Sequence, residues 1–440
     1  MPFFFTLFGK KSMLPQEIIR KKRDGQVLTN QDIESFVQSI DDWSITDGQI
    51  AALLMASLMN GLNRDEVIAF VNAIVDTGII LDWNSVDLNG PVASVYTMPG
   101  VGDKSEIIAA PLLAACGVYV PMICERMQYH AGGTLDKLDS IKGFVSRPTL
   151  ARFRKTLRES GCAFMTPTEQ IAPADLRIQS IRDVTATVTS IPLMLMSMFV
   201  KKVASGIKNL TVDIKVGSGS FTPARREAED CAEKIKECAP AFGIKTNITF
   251  SQMDHLVGQN VGNALEVYEA WDYLTGTGPR DSELHTLIQN ICSTVLIQNK
   301  LAGDKDEAFA KIDQALSSGQ AADRFGRMLY EQGVLPNFIS NPAPFLPTAQ
   351  VIKPVYPDKE GYVSEMNMRW IGLAVLEMGA GRFYQEERID YSAGFSNMCR
   401  PGMYVSPRVP LAFVHAEDMQ TADLAAIHLK GAVKLSEQPV

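Results

Sequence analysis

The sequence has few of the residues that mark metal-binding or disulfide-linked proteins. It holds five histidines, and neither HExxH nor another metal-ligand spacing occurs among them. Its seven cysteines form no CxxC pair, and their number is odd. In a chain of 440 residues this usage is typical of a reduced, cytoplasmic protein rather than a disulfide framework. We therefore predict neither a metal nor any other cofactor.

A basic excess and a long apolar run are also missing. The formal net charge is −8 and the pI is near 5.3, which argues against a nucleic-acid-binding surface. The N-terminal stretch MPFFFTLFGKKS is too short to span a membrane, and its charges follow the apolar run, the reverse of a secretory signal. We expect no nucleic acid or membrane partner, and we treat residues 1–12 as an N-terminal extension without a function.

The first part of the chain that follows is predicted to be helical. Over residues 13–79, apolar side chains recur at helical spacing, and Thr46 and Asn63 precede good helix starts. Residues 172–206 are again helical, apolar and rich in methionine, which indicates core packing. We expect these two segments to form one small all-α domain.

The remainder of the chain predicts a larger domain. Strand and helix patterns alternate over residues 80–171 and 207–345, which predicts an α/β domain with a mixed central sheet. Residues 346–440 alternate like strands and end in an amphipathic helix predicted over Asp423–Leu435. The fold class is therefore α/β, with a small α domain and a C-terminal α+β part of the large domain.

One loop of the α/β region has the pattern of an anion site. The stretch VASVYTMPGVGDKSEI, from Val92 to Ile107, is a strand, a glycine-containing loop and a helix start. Backbone N–H groups at such a helix start favour an anion. The stretch has no lysine before the loop, however, and it places Glu106 in the first helical turn.

A second glycine turn enters a helix at His130-Ala131-Gly132-Gly133-Thr134. Its backbone N–H groups and the Thr134 hydroxyl can bind an anion. The commoner meaning of the pattern is a plain turn in which Thr134 caps the helix. The spacing alone leaves both interpretations open.

Three polar residues in the methionine-rich region suit a flat ring that bears carbonyl groups. Ser197 and Lys201 are four residues apart and share a helix face, and Arg182 lies one segment earlier. A bidentate arginine and a lysine point charge are good partners of carbonyl oxygens. An exposed arginine and a lysine at a helix end would give the same pattern.

These residues are part of a much longer stretch of the chain that resembles a known family. From about Met13 to Leu435 the chain resembles the thymidine phosphorylases of the pyrimidine-nucleoside phosphorylase family. The matching stretches, in order, are QEIIRKKRDG (16–25), GQIAALLM (48–55), DTGIILDW (76–83), AGGTLDKLDSI (131–141), APADLRIQSIRDVTATVTSIPL (172–193), DIKVGSGSF (213–221) and VSEMNMRWIG (363–372). The resemblance implies a pyrimidine nucleoside as substrate and an active cleft between the two domains. It also implies a homodimer formed through the α-helical domain and domain closure during turnover.

The resemblance assigns the pyrimidine to Arg182, Ser197 and Lys201, which match the base-binding residues of the family. The surroundings differ. Gln179 stands where the family has a tyrosine that lines the base site, and Tyr96 stands where it has a histidine that contacts the nucleoside.

The resemblance also identifies five positions that match phosphate ligands of the family. Their occupants are Val95 for a lysine, Thr97, Glu106 and Cys124 for serines, and the unchanged Thr134. Glu125 follows where the family has glycine. Loss of the lysine removes a bond worth about 1.5–3 kcal/mol. A carboxylate 4 Å from a phosphate charge adds a repulsion of roughly 4 kcal/mol at an effective dielectric constant of 20.

Three functions are compatible with these substitutions. In the first, the N-glycosidic bond of a pyrimidine nucleoside is cleaved without phosphate, by hydrolysis or by deoxyribosyl transfer between bases. Glu106 is then the general base or nucleophile, and Asp103 and Glu125 are further catalytic candidates. In the second, phosphate still reacts in a rearranged site, where Lys104 replaces the missing lysine. The third is a non-catalytic nucleoside-binding protein.

Overall fold

The computed structural model describes residues 13–126, 129–382 and 387–439, so the expected N-terminal extension lies outside the described residues. The helices are α1 (Pro15–Arg23), α2 (Asn30–Asp41), α3 (Asp47–Asn60), α4 (Arg64–Val75), α5 (Ser105–Ala115), α6 (Thr134–Asp139), α7 (Leu150–Ser160), α8 (Pro173–Val184), α9 (Ile191–Ala204), α10 (Arg225–Cys238), α11 (Asn263–Thr275), α12 (Ser282–Gln298), α13 (Lys305–Ser317), α14 (Gln320–Glu331), α15 (Met368–Val375) and α16 (Met419–Ala432). The strands are β1 (Ala93–Thr97), β2 (Val120–Ile123), β3 (Cys162–Met165), β4 (Asn209–Val216), β5 (Lys245–Gln252), β6 (Val351–Val355), β7 (Gly361–Met366), β8 (Gly394–Ser396), β9 (Tyr404–Val405), β10 (Ala412–Ala416) and β11 (Val433–Ser436).

The chain divides into two compact units. The small unit contains the described residues up to Ile80 together with Pro167–Ala204. It is wholly helical, and α2, α3 and α4 each begin with a capping box, at Thr29, Thr46 and Asn63. Helix α9 is buried along almost its whole length, so its methionines are core residues, as predicted.

A buried ion pair ties two helices of the small unit together. The Lys22 ammonium lies 2.7 Å from the Glu66 carboxylate, and both side chains are buried. Glu66 also accepts hydrogen bonds from the backbone N–H groups of Leu28 and Asn63, each at 2.9 Å. One carboxylate therefore joins α1, the segment before α2 and the start of α4.

The large unit begins with parallel strands. Strands β1, β4 and β5 pair in that order, β2 pairs with β3, and a bridge between Val92 and Tyr119 joins the two sets. Helices α5, α6 and α11 to α14 of the same unit contribute to the core around these strands, and α5 is buried on every side. Loops at the carboxyl ends of parallel strands are where α/β folds place their ligands.

The C-terminal part of the large unit is antiparallel. Its sheets have the orders β6-β10-β8 and β11-β7-β9, so the large unit combines parallel and antiparallel pairing and the predicted fold class is confirmed. The predicted terminal helix was wrong in extent. Helix α16 runs from Met419 to Ala432, and the next four residues form β11 because they pair with β7.

Two general features accompany this architecture. No helix in the described part of the chain is long and apolar enough to cross a membrane. The seven cysteines are free thiols, and six of them are buried.

Removing the carboxylate of Glu66 should destabilise the small unit. Glu66→Ala leaves the Lys22 ammonium buried without its partner, and we expect a loss of about 3–5 kcal/mol in urea unfolding. Asp65→Ala is the matched control on the same helix, because its ion pair with Arg64 is exposed. That control should change stability by less than about 1 kcal/mol. Equal effects of the two substitutions would contradict the assigned role of the buried pair.

Candidate functional site

The loop between β1 and α5 brings Glu106 back towards the end of β1. Gly102 adopts a φ of +75°, and a Cβ atom there would lie 2.1 Å from Leu256 Cδ1, so only glycine fits this bend. Helix α5 then begins at Ser105, which makes Glu106 its second residue. A carboxylate in the first helical turn is stabilised by the helix dipole.

The Glu106 carboxylate is the point on which several predicted anion-site residues converge. It accepts hydrogen bonds from the Thr97 backbone N–H at 3.2 Å and from the Thr134 hydroxyl at 2.8 Å. The Cys124 thiol lies 3.5 Å from the same oxygen that Thr134 contacts. The ends of β1 and β2 and the start of α6 are thus joined through one buried carboxylate.

The neighbours of this cluster are largely buried. Val95, at the position matched to the family lysine, has no exposed surface and belongs to the apolar core. Tyr96 follows it on β1, and Glu125 follows Cys124 after β2, and both are buried. The residues next to the cluster in sequence are therefore buried, and Val95 lies in the apolar core.

Thr134 is not a helix cap. Gly133 is the N-cap residue of α6, and Thr134 is the first residue of the helix. The plain-turn interpretation is thus wrong in this detail, because the Thr134 hydroxyl donates to Glu106 and Thr134 does not occupy the N-cap position. Hydrogen bonds to an ionised acceptor are stronger than those to a neutral one, which favours this partner.

Asp103 lies in an adjacent, strongly charged cluster, which shares Thr97 with the Glu106 cluster. Its carboxylate accepts from the Ser105 backbone N–H at 3.0 Å and lies 3.4 Å from the Lys215 ammonium. Burial raises the pKa of the Asp103 carboxyl, but the charges of Lys215 and Lys137 and hydrogen bonds with the Ser105 and Thr97 side chains outweigh burial and hold this pKa at about 2. Burial lowers the pKa of Lys215, yet Asp103 and Asp213 raise it further, so the ammonium is charged.

Lys104 does not take the place of the missing lysine. Its buried ammonium lies 2.8 Å from the Glu269 carboxylate and donates to the carbonyl oxygens of Val257 and Asn260, at 3.2 and 3.1 Å. These bonds connect the start of α5 to the loop after β5. The expectation that Lys104 turns towards the anion position is therefore wrong.

In the small unit, Ser197 and Lys201 are held by a buried acid. The Lys201 ammonium lies 2.8 Å from one oxygen of Asp175, and the Ser197 hydroxyl donates to the other at 3.0 Å. Lys201 also contacts the Ser197 hydroxyl at 2.5 Å. All three side chains are almost completely buried, so Lys201 is not a solvated lysine at a helix end.

Arg182 and Gln179 complete this group. The Arg182 guanidinium donates to the Gln179 side-chain oxygen at 3.1 Å and to the Val188 carbonyl at 3.2 Å. The Ser197 hydroxyl lies 3.5 Å from the same Gln179 oxygen. Arg182 is 1 % exposed, which excludes the alternative of an exposed arginine.

Sequence reasoning missed Asp175 and Lys215, although a signal existed for the first. Asp175, Gln179 and Arg182 are spaced i, i+4 and i+7, which places them on one face of α8. Lys215 gave no such signal, because a lysine in a buried strand is recognised only when its partner from another loop is known.

Models of known protein families match the chain in three places. The helical bundle domain of the glycosyl transferase family matches residues 16–78, and the α/β domain of the same family matches residues 94–322, more than half of the chain. The C-terminal domain of pyrimidine nucleoside phosphorylase matches residues 362–436. Among solved structures, anthranilate phosphoribosyltransferase (TrpD) from Thermus thermophilus is similar with a TM-score of 0.56 and 16% identity, over 72% of this chain and 99% of that one. At this identity the likeness concerns the fold.

The low pKa of Asp103 predicts how acid affects an Asp103→Asn variant. A lowered carboxyl pKa stabilises the folded state above the unfolded value near 4, and this stabilisation is lost as the pH falls towards 2. The variant should be less stable than the wild type at pH 7. The difference between their free energies of unfolding should be about 1 kcal/mol smaller at pH 3 than at pH 7.

Urea unfolding of both proteins between pH 7 and pH 3 measures this difference in the free energy of unfolding. Asp87→Asn, which changes an exposed loop carboxyl of the same unit, should follow the wild-type profile. A gap between Asp103→Asn and wild type that stays constant over the range would contradict the assigned pKa.

Proposed function

The chain belongs to the glycosyl transferase family, and from this premise we propose that it cleaves the N-glycosidic bond of a pyrimidine nucleoside without inorganic phosphate as the acceptor. Its three matched domains have the architecture of the pyrimidine nucleoside phosphorylases, which supports a nucleoside or phosphoribosyl transferase type of reaction. The observation that carries the proposal is the Glu106 carboxylate, bound by Thr97 and Thr134.

The acceptor side of the reaction follows from charge. In the family, the positions of Thr97 and Thr134 bind phosphate, and here their donors already hold a carboxylate. A phosphate would have to displace Glu106 or accept its repulsion, and Val95 supplies no compensating charge. A cost of several kcal/mol corresponds to several powers of ten in the dissociation constant.

The proposed binding of the leaving pyrimidine depends on the buried polar side chains of the small unit. We assign recognition of the pyrimidine to Arg182, Ser197 and Lys201, with Gln179 beside them. When the glycosidic bond breaks, negative charge develops on the pyrimidine ring and its carbonyl oxygens. Fixed cationic donors stabilise such charge best when they are positioned beforehand, as Asp175 positions Lys201.

Glu106 is the preferred catalytic carboxylate among the three candidates. Asp103 is unsuited to accept a proton, because its pKa is about 2 and Lys215 already neutralises its charge. Glu125 is the second choice, since it is buried directly after Cys124 at the edge of the cluster. Tyr96 lies on the strand that leads to Thr97, and we assign it to the sugar.

Phosphorolysis is the second candidate function. The match of residues 362–436 to the C-terminal domain of pyrimidine nucleoside phosphorylase favours it. In that case the site has to bind phosphate beside Glu106, and the product is a sugar 1-phosphate rather than a free sugar.

Product analysis separates the two candidates. The protein is incubated with thymidine, deoxyuridine and uridine in phosphate-free buffer and with added phosphate. We expect the free base to form at the same rate in both buffers, and Glu106→Gln to lower kcat by about 10²–10⁴-fold. Glu233→Gln, an exposed carboxylate on α10, should retain full activity. Sugar 1-phosphate formed only with phosphate would contradict the proposal and establish phosphorolysis.

Restoring the family residues should restore a use for phosphate. We expect the double variant Val95→Lys/Glu106→Ser to form sugar 1-phosphate in a phosphate-dependent reaction. In the control variant Val95→Met/Glu106→Ser, the methionine at position 95 is about as long as lysine but carries no charge. The phosphate affinity of this control should be about 10–100-fold lower than that of Val95→Lys/Glu106→Ser. Near-UV circular dichroism confirms that both variants are folded. Equal phosphate affinity in the two variants would argue that residue 95 does not face the anion.

A further inference from the structure

We propose that Glu106 is the nucleophile of this reaction, and that the protein transfers the sugar from one base to another through a glycosyl ester on this residue. This inference rests on the proposed function and adds an activity to it. The acceptor would be a second free nucleobase, with water as a competing acceptor.

The Glu106 carboxylate occupies the position expected for the attacking group. A phosphate acceptor attacks C1′ with one of its own oxygens, and the positions matched to its ligands hold it for that attack. In this structure, the Thr97 backbone N–H and the Thr134 hydroxyl hold oxygens of Glu106 instead. A carboxylate held where the attacking group is expected is itself placed to attack.

The Glu106 carboxylate is also held in a fixed orientation. The Glu106 carboxylate contacts residues at the ends of β1 and β2 and at the start of α6, and it projects from the first turn of α5. Four segments of one unit thus fix its orientation. A general base acting through water needs a further site for that water, whereas a nucleophile needs only the carboxylate.

The cluster around the carboxylate is buried. Cys124 and Glu106 are 5 % and 7 % exposed. Burial of this kind keeps bulk water away from a glycosyl ester and favours a second base as the acceptor. The Cys124 thiol is also a weaker hydrogen-bond donor than the serine of the family, so it withdraws less charge from the carboxylate.

The two steps balance without any further reactant. In the first, a Glu106 oxygen forms a bond to C1′ while the bond from C1′ to the pyrimidine nitrogen breaks. The electron pair leaves with the pyrimidine, which then takes a proton from solvent. In the second, the nitrogen of an incoming base loses its proton to solvent and attacks C1′ from the face opposite Glu106, and Glu106 leaves as a carboxylate. Two inversions return the original configuration of the nucleoside.

Base exchange and trapping of the ester test the proposal together. The full-length protein is incubated without phosphate with deoxyuridine or uridine and free thymine. We expect the thymine nucleoside to form, and Glu106→Gln to abolish its formation. With 2′-deoxy-2′-fluorouridine, whose fluorine slows the breakdown of the ester, we expect one glycosyl group on the intact protein, mapped by proteolysis to the peptide that contains Glu106.

A rescue experiment covers the case in which the substitution itself disturbs the site. Glu106→Ala has space for a small anion, and added azide should restore cleavage and yield a glycosyl azide of inverted configuration. Glu233→Gln serves as the control and should exchange bases like the wild type.

The outcomes distinguish the inference from the function beneath it. Cleavage without phosphate that gives only free sugar, with no exchange and no adduct, would overturn the nucleophile and leave the proposed function in place. Absence of any cleavage without phosphate would overturn both. Exchange with an adduct on Glu106 supports both.

Discussion

The hydrogen bonds from the Thr97 backbone N–H and the Thr134 hydroxyl to the Glu106 carboxylate are the interaction on which this account depends. A buried carboxylate needs hydrogen-bond donors, and here one donor lies at the end of β1 and the other at the start of α6. The carboxylate itself lies in the first turn of α5, where the helix dipole favours an anion. Because this anion is part of the chain, an added phosphate has to compete with an intramolecular partner. Under the proposed function, the choice of acceptor follows from that competition.

The surrounding loop keeps its conformation through other charges. Lys104 is bound to Glu269, and Lys215 lies between Asp103 and Asp213. These buried pairs fix the bend before α5 without help from a ligand. Asp103 thus helps to organise the loop, while Glu106 binds Thr97 and Thr134, at positions that the resemblance matches to phosphate ligands.

The sequence allowed the fold to be predicted well, and the site less well. Parallel strands and capped helices follow from local periodicity and from cap residues such as Thr46 and Asn63. The end of the last helix could not be predicted from local periodicity, because it is set by the pairing of β11 with β7. The substitution at Glu106 was visible from the resemblance, but the partners of Thr134 and Lys104 depend on loops distant in sequence. Spacing on α8 would have revealed Asp175.

Titration calorimetry with inorganic phosphate tests the central claim most directly, because it requires neither a known nucleoside nor turnover. The account predicts no saturable binding by the wild-type protein at millimolar phosphate, and measurable binding by Val95→Lys/Glu106→Ser. Saturable binding by the wild type, with an affinity equal to or better than that of the double variant, would contradict the claim that Glu106 takes the place of the anion.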